Sequence, residues 1–289
     1  MIYLLLSILC STYIVIVFKL FDKYKVDTFQ AIVINYFIAG SMGFLLNEAV
    51  IPIHEIPQQD WFPKCIVIGC CFISLFNLIA TAVQKVGISI TAIASKMSVC
   101  IPVIFAFFIY DDKISITKIA GIIIALLAVY LSTPTSKKVD QQKISLLLPF
   151  VIFIGSGLLD TFLNYSTITH ELDRYKLTPY FAASSFSIAA IIGFFILIYR
   201  FFAFQRKLKY KNIIAGIALG VPNYGSIYFL LKSLHEIKES SYVFPINNMG
   251  IVALTSILAL LIFKEKLSSV NWLGVFLALI SISFIAFSS

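Results

Sequence analysis

The sequence predicts an all-α membrane protein with about ten transmembrane helices. Of its 289 residues, 60% are hydrophobic and only 12% are charged, which is about half the charged fraction of a typical soluble domain. The mean hydropathy is +0.97. The apolar residues form separate blocks of about 20, the length that an α-helix needs to cross a bilayer. Strands of a membrane barrel would alternate in polarity and would not produce such blocks.

Short charged or proline-containing turns separate the blocks, so that nearly the whole chain is predicted to lie in the membrane. The first block has no basic segment before it and is followed by lysines, not by a small-residue cleavage site, so we predict a permanent helix and no signal peptide. The ten predicted spans are 2–18, 28–47, 65–84, 88–110, 115–133, 144–166, 178–199, 212–233, 240–263 and 269–287.

The basic residues are distributed unevenly between the two predicted faces of the membrane. One face, which includes segments 19–25, 136–143 and 200–211, has about twice as many Lys and Arg residues as the other. The positive-inside rule therefore predicts that this face is cytoplasmic and that both termini are outside. The formal charge of +8 is divided among short loops and is not gathered on one folded surface, so a nucleic-acid partner is not expected.

The two halves of the chain contain a repeated segment. Residues 107–131, FFIYDDKISITKIAGIIIALLAVYL, align with residues 260–284, LLIFKEKLSSVNWLGVFLALISISF, at a constant offset of 153. Because apolar helices resemble one another by chance, the matching charged turn and glycine are the informative positions. The matched pairs are Lys85 with Lys238, Asp112 with Glu265, Lys113 with Lys266 and Gly121 with Gly274.

The repeat divides the chain into two halves of five helices. We predict a first repeat at 1–133, a linker at 134–143 and a second repeat at 144–289. Because five is odd, the second half enters the membrane from the opposite face, and the halves form a pair of inverted topology.

The repeated segments resemble the EamA-like repeat of the drug/metabolite transporter superfamily. In residues 101–131 the resemblance is carried by a proline-containing fourth helix, an acidic turn and a glycine in the fifth helix. In the second half it is carried by VPNYGSIYFLLKSL and by SSYVFPINNMG, followed by the FKEK turn at 263–266. The match is clearest over 80–133 and 215–287. The resemblance implies ten helices in two five-helix repeats, and export or exchange of a small metabolite.

The chain departs from the family pattern in two respects. Asp112 occupies the first acidic turn, where the family usually has Glu. Family members are commonly drawn with cytoplasmic termini, whereas the charge count predicts the opposite. The sidedness of the termini therefore stays open, although the inverted pair is expected in either case.

Lys96 is the most unusual residue of the predicted spans. It lies about 12 Å into a hydrocarbon core that is about 30 Å thick, where a lysine costs about 2.5–3.5 kcal/mol. One interpretation is structural: the side chain reaches the interface or pairs permanently with an acid. The other is functional: the ammonium binds the carboxylate or phosphate of a solute in a central site.

Pro102 lies further along the same predicted helix and removes one backbone donor. Its missing N–H frees a carbonyl near Ser98, so we predict either a local break suited to a binding helix or a packing kink.

The repeat predicts residues that lie at the same depth as Lys96. Ser95 aligns with Asn248 in the second half, and the ninth predicted helix also carries Tyr242, Pro245 and Asn247. We predict that Asn247 or Asn248 faces a central cavity; the alternative is that these amides only form hydrogen bonds between helices. Met249 stands where the second half would repeat Lys96, so the predicted site is chemically asymmetric.

Three further polar residues complete the predicted site. Asn223 and Tyr224 lie in the PNYGSIY segment of the eighth predicted helix. Asp160 is the only acid placed well inside a span. It has three candidate roles, which are neutralisation of Lys96 in the empty state, coupling of protons and a place at the cavity mouth; a position at a loop end is the fourth alternative.

Enzymatic activity is not expected from this sequence. No GxSxG, HExxH or P-loop motif is present, so there is no candidate nucleophile, metal site or phosphate cradle. The five cysteines lie in or beside apolar blocks without metal-ligand spacing, which favours packing. We predict no cofactor and no resident metal.

The leading hypothesis is therefore a secondary transporter in the cytoplasmic membrane that moves a small polar metabolite, such as an amino acid or other carboxylate. Lys96 would bind the anionic group, while Asn247, Asn248 and Tyr224 would bind the polar remainder. The alternative is a lipid-handling or structural membrane protein that moves no water-soluble solute. The expected partners are the metabolite and membrane lipid, and the sequence leaves the oligomeric state open.

Overall fold

The computed structural model describes residues 1–46, 51–109, 115–132, 139–172, 176–205, 207–237, 240–265 and 267–286. These ranges contain eleven α-helices and one short 3-10 helix, Ile53–Gln58, and they contain no strand. The helices are α1 (Ile2–Lys23), α2 (Thr28–Leu46), α3 (Phe62–Lys85), α4 (Ile88–Met97), α5 (Cys100–Ile109), α6 (Ile116–Ser132), α7 (Val139–Thr169), α8 (Thr178–Phe204), α9 (Tyr210–Ile237), α10 (Ser240–Phe263) and α11 (Ser269–Ala286).

The helices confirm the predicted all-α membrane fold. Within the described ranges, eight stretches are long and apolar enough to cross a bilayer, and residues 88–105 form one of them. Two shorter apolar helices, Ile116–Leu131 and Ser269–Ile285, occupy the places of the fifth and tenth predicted spans. Most predicted bounds agree with the observed helices within a few residues; α1 and α8 continue beyond their predicted ends, to Lys23 and Phe204, and α7 begins before its predicted start, at Val139.

The fourth predicted span differs from a plain helix because it is broken. Helix α4 ends at Met97, α5 begins at Cys100, and Ser98 and Val99 form a turn between them. Pro102 has no N–H to donate to the carbonyl of Ser98. That carbonyl accepts from the Ile101 N–H at 2.9 Å, and the Ser98 hydroxyl donates to the Ser95 carbonyl at 2.6 Å. The predicted break is therefore present.

The chain divides into two compact units, each built from both halves of the sequence. Unit 1 comprises Met1–Leu20, Leu78–Asp160 and Gly225–Ser289. Unit 2 comprises Phe21–Asn77 and Thr161–Tyr224. This division records which segments pack tightly together, whereas the proposed repeats record similarity along the chain. The repeat boundaries stay a prediction.

In unit 1, the broken span packs in a core with α6, α10 and α11. Met97 and Cys100 are buried in this core together with Val252 of α10. Helices α6 and α11 approach closely at Gly121, because a Cβ there would lie 2.7 Å from Ile285 Cγ1. The Ser281 hydroxyl donates to the Gly121 carbonyl at 2.7 Å. The glycine that marked the repeat is therefore required by close helix packing.

In unit 2, α2 packs against α8 and α9 through small residues. A Cβ at Gly220 would lie 2.7 Å from Ile38 Cβ, and one at Gly216 would clash with Ile34. On the other side of α2, a Cβ at Gly43 would lie 2.6 Å from Ala183 Cβ. The small-residue spacing of these helices thus allows their backbones to approach closely.

Candidate functional site

Lys96 lies in the last turn of α4, immediately before the break. Its side chain is half-buried, although it lies on a helix whose other residues from Ile88 to Ala94 are buried. The C-terminal end of a helix carries a partial negative charge from its unpaired carbonyl groups. This partial charge favours an ammonium in the last turn of α4.

Asp160 belongs to the same unit as Lys96 and interacts with it electrostatically. Helix α7 approaches α5 closely, because a Cβ at Gly157, one turn before Asp160, would clash with Ile101. Within the described residues, Lys96 and Asp160 do not form an ion pair within 4.0 Å. The two charges attract each other, but neither is neutralised by direct contact.

Asp160 is exposed although its neighbours on the same face of α7 toward the N-terminus are buried. Phe153, Ser156 and Gly157 are buried and lie on the same face of α7 as Asp160, at helical spacings of three, four and seven residues. The exposed apolar residues of this helix, such as Val151 and Leu158, lie on the other face. Asp160 itself is exposed, as is Asn164 one turn later on the same face.

The two asparagines of α10 face different neighbours. Asn248 is half-buried and lies one turn before Val252, which packs with Met97 and Cys100 of the broken span. Asn247 is 5% exposed and lies between Val243 and Ile251, which pack with Leu4 and Ile8 of α1. Asn248 is therefore the asparagine on the face directed toward Lys96.

The carbonyl oxygen of Asn247 is buried without a hydrogen-bond partner among the described residues. An unpaired buried acceptor costs about 1–3 kcal/mol, so such a group usually has a reason to be retained. Ser95 is half-buried, and its backbone carbonyl is occupied by Ser98. Tyr242 lies within α10, and its side chain is outside the described residues.

Asn223 and Tyr224 lie in unit 2, whereas the other members of the predicted site lie in unit 1. The Asn223 amide donates to Asn35 Oδ1 at 3.1 Å, which joins α9 to α2. Tyr224 is 7% exposed, and its ring lies 3.4 Å from the position of a Cβ on Gly43. In this structure Asn223 takes part in an interhelical hydrogen bond, and both side chains contribute to packing.

A further residue, Glu265, was used in the sequence only as a marker of the repeat. In the structure its two carboxylate oxygens accept from the Ile88 N–H at 3.0 and 3.1 Å, so it caps the first turn of α4. Its carboxylate also lies 3.6 Å from Lys19 Nζ. Gly87 adopts φ +131°, which favours glycine, and a Cβ there would lie 3.2 Å from Glu265 Oε2. An acidic residue in a repeated turn was the available signal for this positioning role.

The side chains of the candidate site are suited to binding a polar solute and to compensating its charge. In the described ranges, no group of three His, Cys, Asp or Glu side chains is arranged to hold a metal ion. The site contains one ammonium, one carboxylate, amides and broken backbone. Such groups can exchange an intramolecular charge partner for a charged solute.

Comparison with known proteins finds a family that the first part of the chain resembles. Residues 1–133 match the family model described as the EamA-like transporter family. This part of the chain is therefore similar to the EamA-like transporters. The match confirms the resemblance carried by the acidic turn and the glycine of the fifth span, and it indicates a membrane transporter of small solutes.

Two further proteins resemble this chain along almost its whole length. An uncharacterized protein of Haemophilus influenzae (strain ATCC 51907 / DSM 11121 / KW20 / Rd) is 27% identical over 288 residues, which cover 96% of this chain and 95% of the relative. A solved crystal structure of a protein is 12% identical, with a TM-score of 0.56 and coverage of 96% of each chain. At this identity the structural likeness concerns the fold alone.

Proposed function

We propose that this EamA-like protein is a secondary transporter of the cytoplasmic membrane that exports or exchanges a small polar metabolite by alternating access. The metabolite carries a carboxylate or phosphate, and Lys96 binds this anionic group. The observation that carries the proposal is the position of the Lys96 ammonium at a helix break, near Asp160 but without a direct ion pair to it in the described residues.

The cost of an intramembrane lysine supports a binding role. A permanent structural pair would be expected to bring the ammonium and the carboxylate into hydrogen-bond contact, because a buried charge without a close partner is costly. Lys96 and Asp160 interact at longer range. We propose that a bound anion completes the compensation of Lys96, and that Asp160 compensates it partly when the solute leaves.

We propose that side chains of α10 bind the polar groups of the solute other than its anionic group. Asn248 lies on the face directed toward the broken span. The Asn247 side-chain oxygen has no partner among the described residues, and in this proposal it accepts a hydrogen bond from the solute. Ser95 and Tyr242 are retained as further solute contacts. Asn223 and Tyr224 stay candidates for a state in which the Asn223 amide is released from Asn35.

Alternating access is proposed from the repeat. Two five-helix halves of inverted topology can form two conformations of similar energy that open to opposite faces. In this proposal Asp160 also exchanges a proton during the cycle, which would couple solute movement to the proton gradient.

The proposal is tested by identifying the solute in cells. Cells that overproduce the wild type, Lys96→Ala or Lys209→Ala are compared by untargeted metabolite profiling of the medium. Lys209 is an exposed lysine between α8 and α9 and serves as the matched control. We expect an anionic or zwitterionic solute to be enriched with the wild type and Lys209→Ala but not with Lys96→Ala. Equal enrichment in all three strains, at equal membrane levels of protein, would remove Lys96 from the site.

A further inference from the structure

A charged pocket in unit 1 lies where several spans end. It is formed by the ends of α1 and α3, the start of α4 and the turn between α10 and α11, and its volume is about 200 Å³. Its polar lining comes from Lys19, Lys85, Glu265 and Asn271, with Gly87 beside them. None of the residues that line this pocket belongs to the candidate site at the break, which lies at the other end of α4.

The charges of this pocket are not balanced. Glu265 is occupied by the Ile88 N–H and by Lys19 at 3.6 Å. Lys19 also donates to the Val83 carbonyl at 3.3 Å. Lys85 is exposed, and among the described residues neither a hydrogen bond nor an ion pair holds its ammonium. Two ammonium groups and one carboxylate therefore leave the pocket with one uncompensated positive charge, which attracts a singly charged anion.

The size of the pocket limits what it can hold. Pockets that enclose a drug-sized ligand have volumes of roughly 300–1,000 Å³, and this pocket is smaller. A single anionic group with a few surrounding atoms fits it, whereas a whole metabolite that must be enclosed does not. A phosphate diester carries one negative charge and has oxygen atoms available to both lysines.

The surroundings of the pocket favour a lipid as the source of that phosphate. Leu261 and Ile262 are exposed at the end of α10, and Val270 and Leu273 are exposed at the start of α11. These residues flank in sequence the turn that contributes Glu265, so apolar surface is available for acyl chains beside the charged pocket. Basic pockets between transmembrane helices are typical binding places for anionic lipid head groups.

We propose that this pocket binds the phosphate of an anionic phospholipid, with Lys85 and Lys19 as its cationic ligands. Because Glu265 lines the pocket and caps α4, the bound lipid rests against the segment that positions the helix carrying Lys96. The proposal is independent of the transported solute, since it concerns a lipid and a different set of residues.

Native mass spectrometry of the full chain in detergent tests the proposal. Phosphatidylglycerol, phosphatidylcholine and inorganic phosphate are the probes, and the variants are Lys85→Gln and the control Lys23→Gln, an exposed lysine outside the pocket. We expect phosphatidylglycerol to be retained in preference to phosphatidylcholine, with about fivefold weaker retention in Lys85→Gln and no change in Lys23→Gln. An unchanged Lys85→Gln, or an equal loss in Lys23→Gln, would overturn the proposal.

Two further measurements distinguish lipid binding in this pocket from nonspecific attraction to surface lysines and from binding of free phosphate. Glu265→Gln removes the negative charge of the pocket but leaves an oxygen that accepts from Ile88, so phosphatidylglycerol retention should increase. A decrease would count against the pocket. Inorganic phosphate should not displace phosphatidylglycerol at equal concentration, because it lacks acyl chains; if it does, the pocket binds free phosphate and the lipid assignment is wrong.

Discussion

The two compact units use intramembrane polar groups in different ways. In unit 2 two neutral pairs are hydrogen-bonded: Asn223 donates to Asn35, and the Tyr36 hydroxyl donates to the Phe72 carbonyl at 2.8 Å, although the Ser184 hydroxyl is buried without a partner among the described residues. In unit 1 the charges of Lys96 and Asp160 interact without contact, and the Asn247 oxygen is unpaired among the described residues. Satisfied polar groups hold helices together, whereas incompletely satisfied ones retain the capacity to bind a solute.

The two units also differ in backbone geometry. Helices α2 and α9 of unit 2 pack closely at glycines without interruption. The span formed by α4 and α5 in unit 1 is interrupted at Ser98, beside its charged residue. Irregular backbone at membrane depth is tolerated where it is packed in protein or lines a cavity, and here the Ser95 and Ser98 carbonyls accept hydrogen bonds from within the break. On the basis of these differences we propose that unit 1 binds the solute and that unit 2 supports it.

The largest expected effect is loss of transport when the charge of unit 1 is removed. Lys96→Ala should reduce flux of the identified solute into liposomes at least tenfold, because a hydrogen bond to a charged group contributes about 1.5–3 kcal/mol. Lys96→Arg, which keeps the charge, should retain measurable flux. If both variants transport like the wild type, Lys96 does not bind the anionic group, and the proposed difference in function between the two units is wrong.

The next effect concerns packing in unit 2. Gly216→Ala should lower the free energy of unfolding by about 1–3 kcal/mol, because the new Cβ would lie 2.8 Å from the Ala31 carbonyl oxygen. Gly225→Ala on the same helix is the control, since its nearest neighbour is Cys10 Sγ at 3.3 Å. Denaturation in detergent measures both variants. Equal free energies of unfolding for the two variants would show that the close α2–α9 contact at Gly216 does not determine the stability of the protein.

A smaller effect of opposite sign is expected at Asn247. Asn247→Leu should raise the free energy of unfolding by about 1 kcal/mol, because it replaces an unpaired buried acceptor with an apolar group. If Asn247 binds solute, the same variant should transport more weakly, which is the usual conflict between stability and activity. Reduced stability would instead identify Asn247 as a structural residue like Asn223.

The smallest effect is expected for the asparagine pair of unit 2. A double-mutant cycle of Asn35→Leu and Asn223→Leu should give a coupling energy of about 0.6 kcal/mol in the unfolding free energy, the average for hydrogen bonds between membrane helices. The flux of each variant, corrected for folded protein, should remain close to that of the wild type. A tenfold loss of flux in Asn223→Leu alone would extend the binding site to unit 2.

Much of the fold could be predicted because each membrane span has a local signal. A block of about 20 apolar residues is sufficient to indicate a helix, since backbone groups in lipid must be satisfied within the segment. The break near Ser98 was predictable for the same reason, because Pro102 cannot donate to the carbonyl four residues before it. The division into two units was not predictable, because it depends on contacts between helices that are distant in sequence.

The candidate site was predicted less completely than the fold. Lys96 and Asn248 were selected as polar residues at similar depth and Asp160 as the only acid well inside a span, and the structure places all three in one unit. Depth along a span does not determine the direction of a side chain around the helix axis. The sequence therefore could not distinguish Asn247 from Asn248, or show that Asn223 would bind Asn35.

The amino-acid sequence by itself determined the membrane class, the order of the helices, the broken fourth span and the presence of a costly charge at Lys96. These properties follow from local composition and from the covalent restriction at Pro102. Only the tertiary structure decided that Glu265 caps α4, that Asp160 lies on a packed face, and which asparagines are paired. Those features depend on rotation and contact between helices, and many helix packings are compatible with the same apolar blocks.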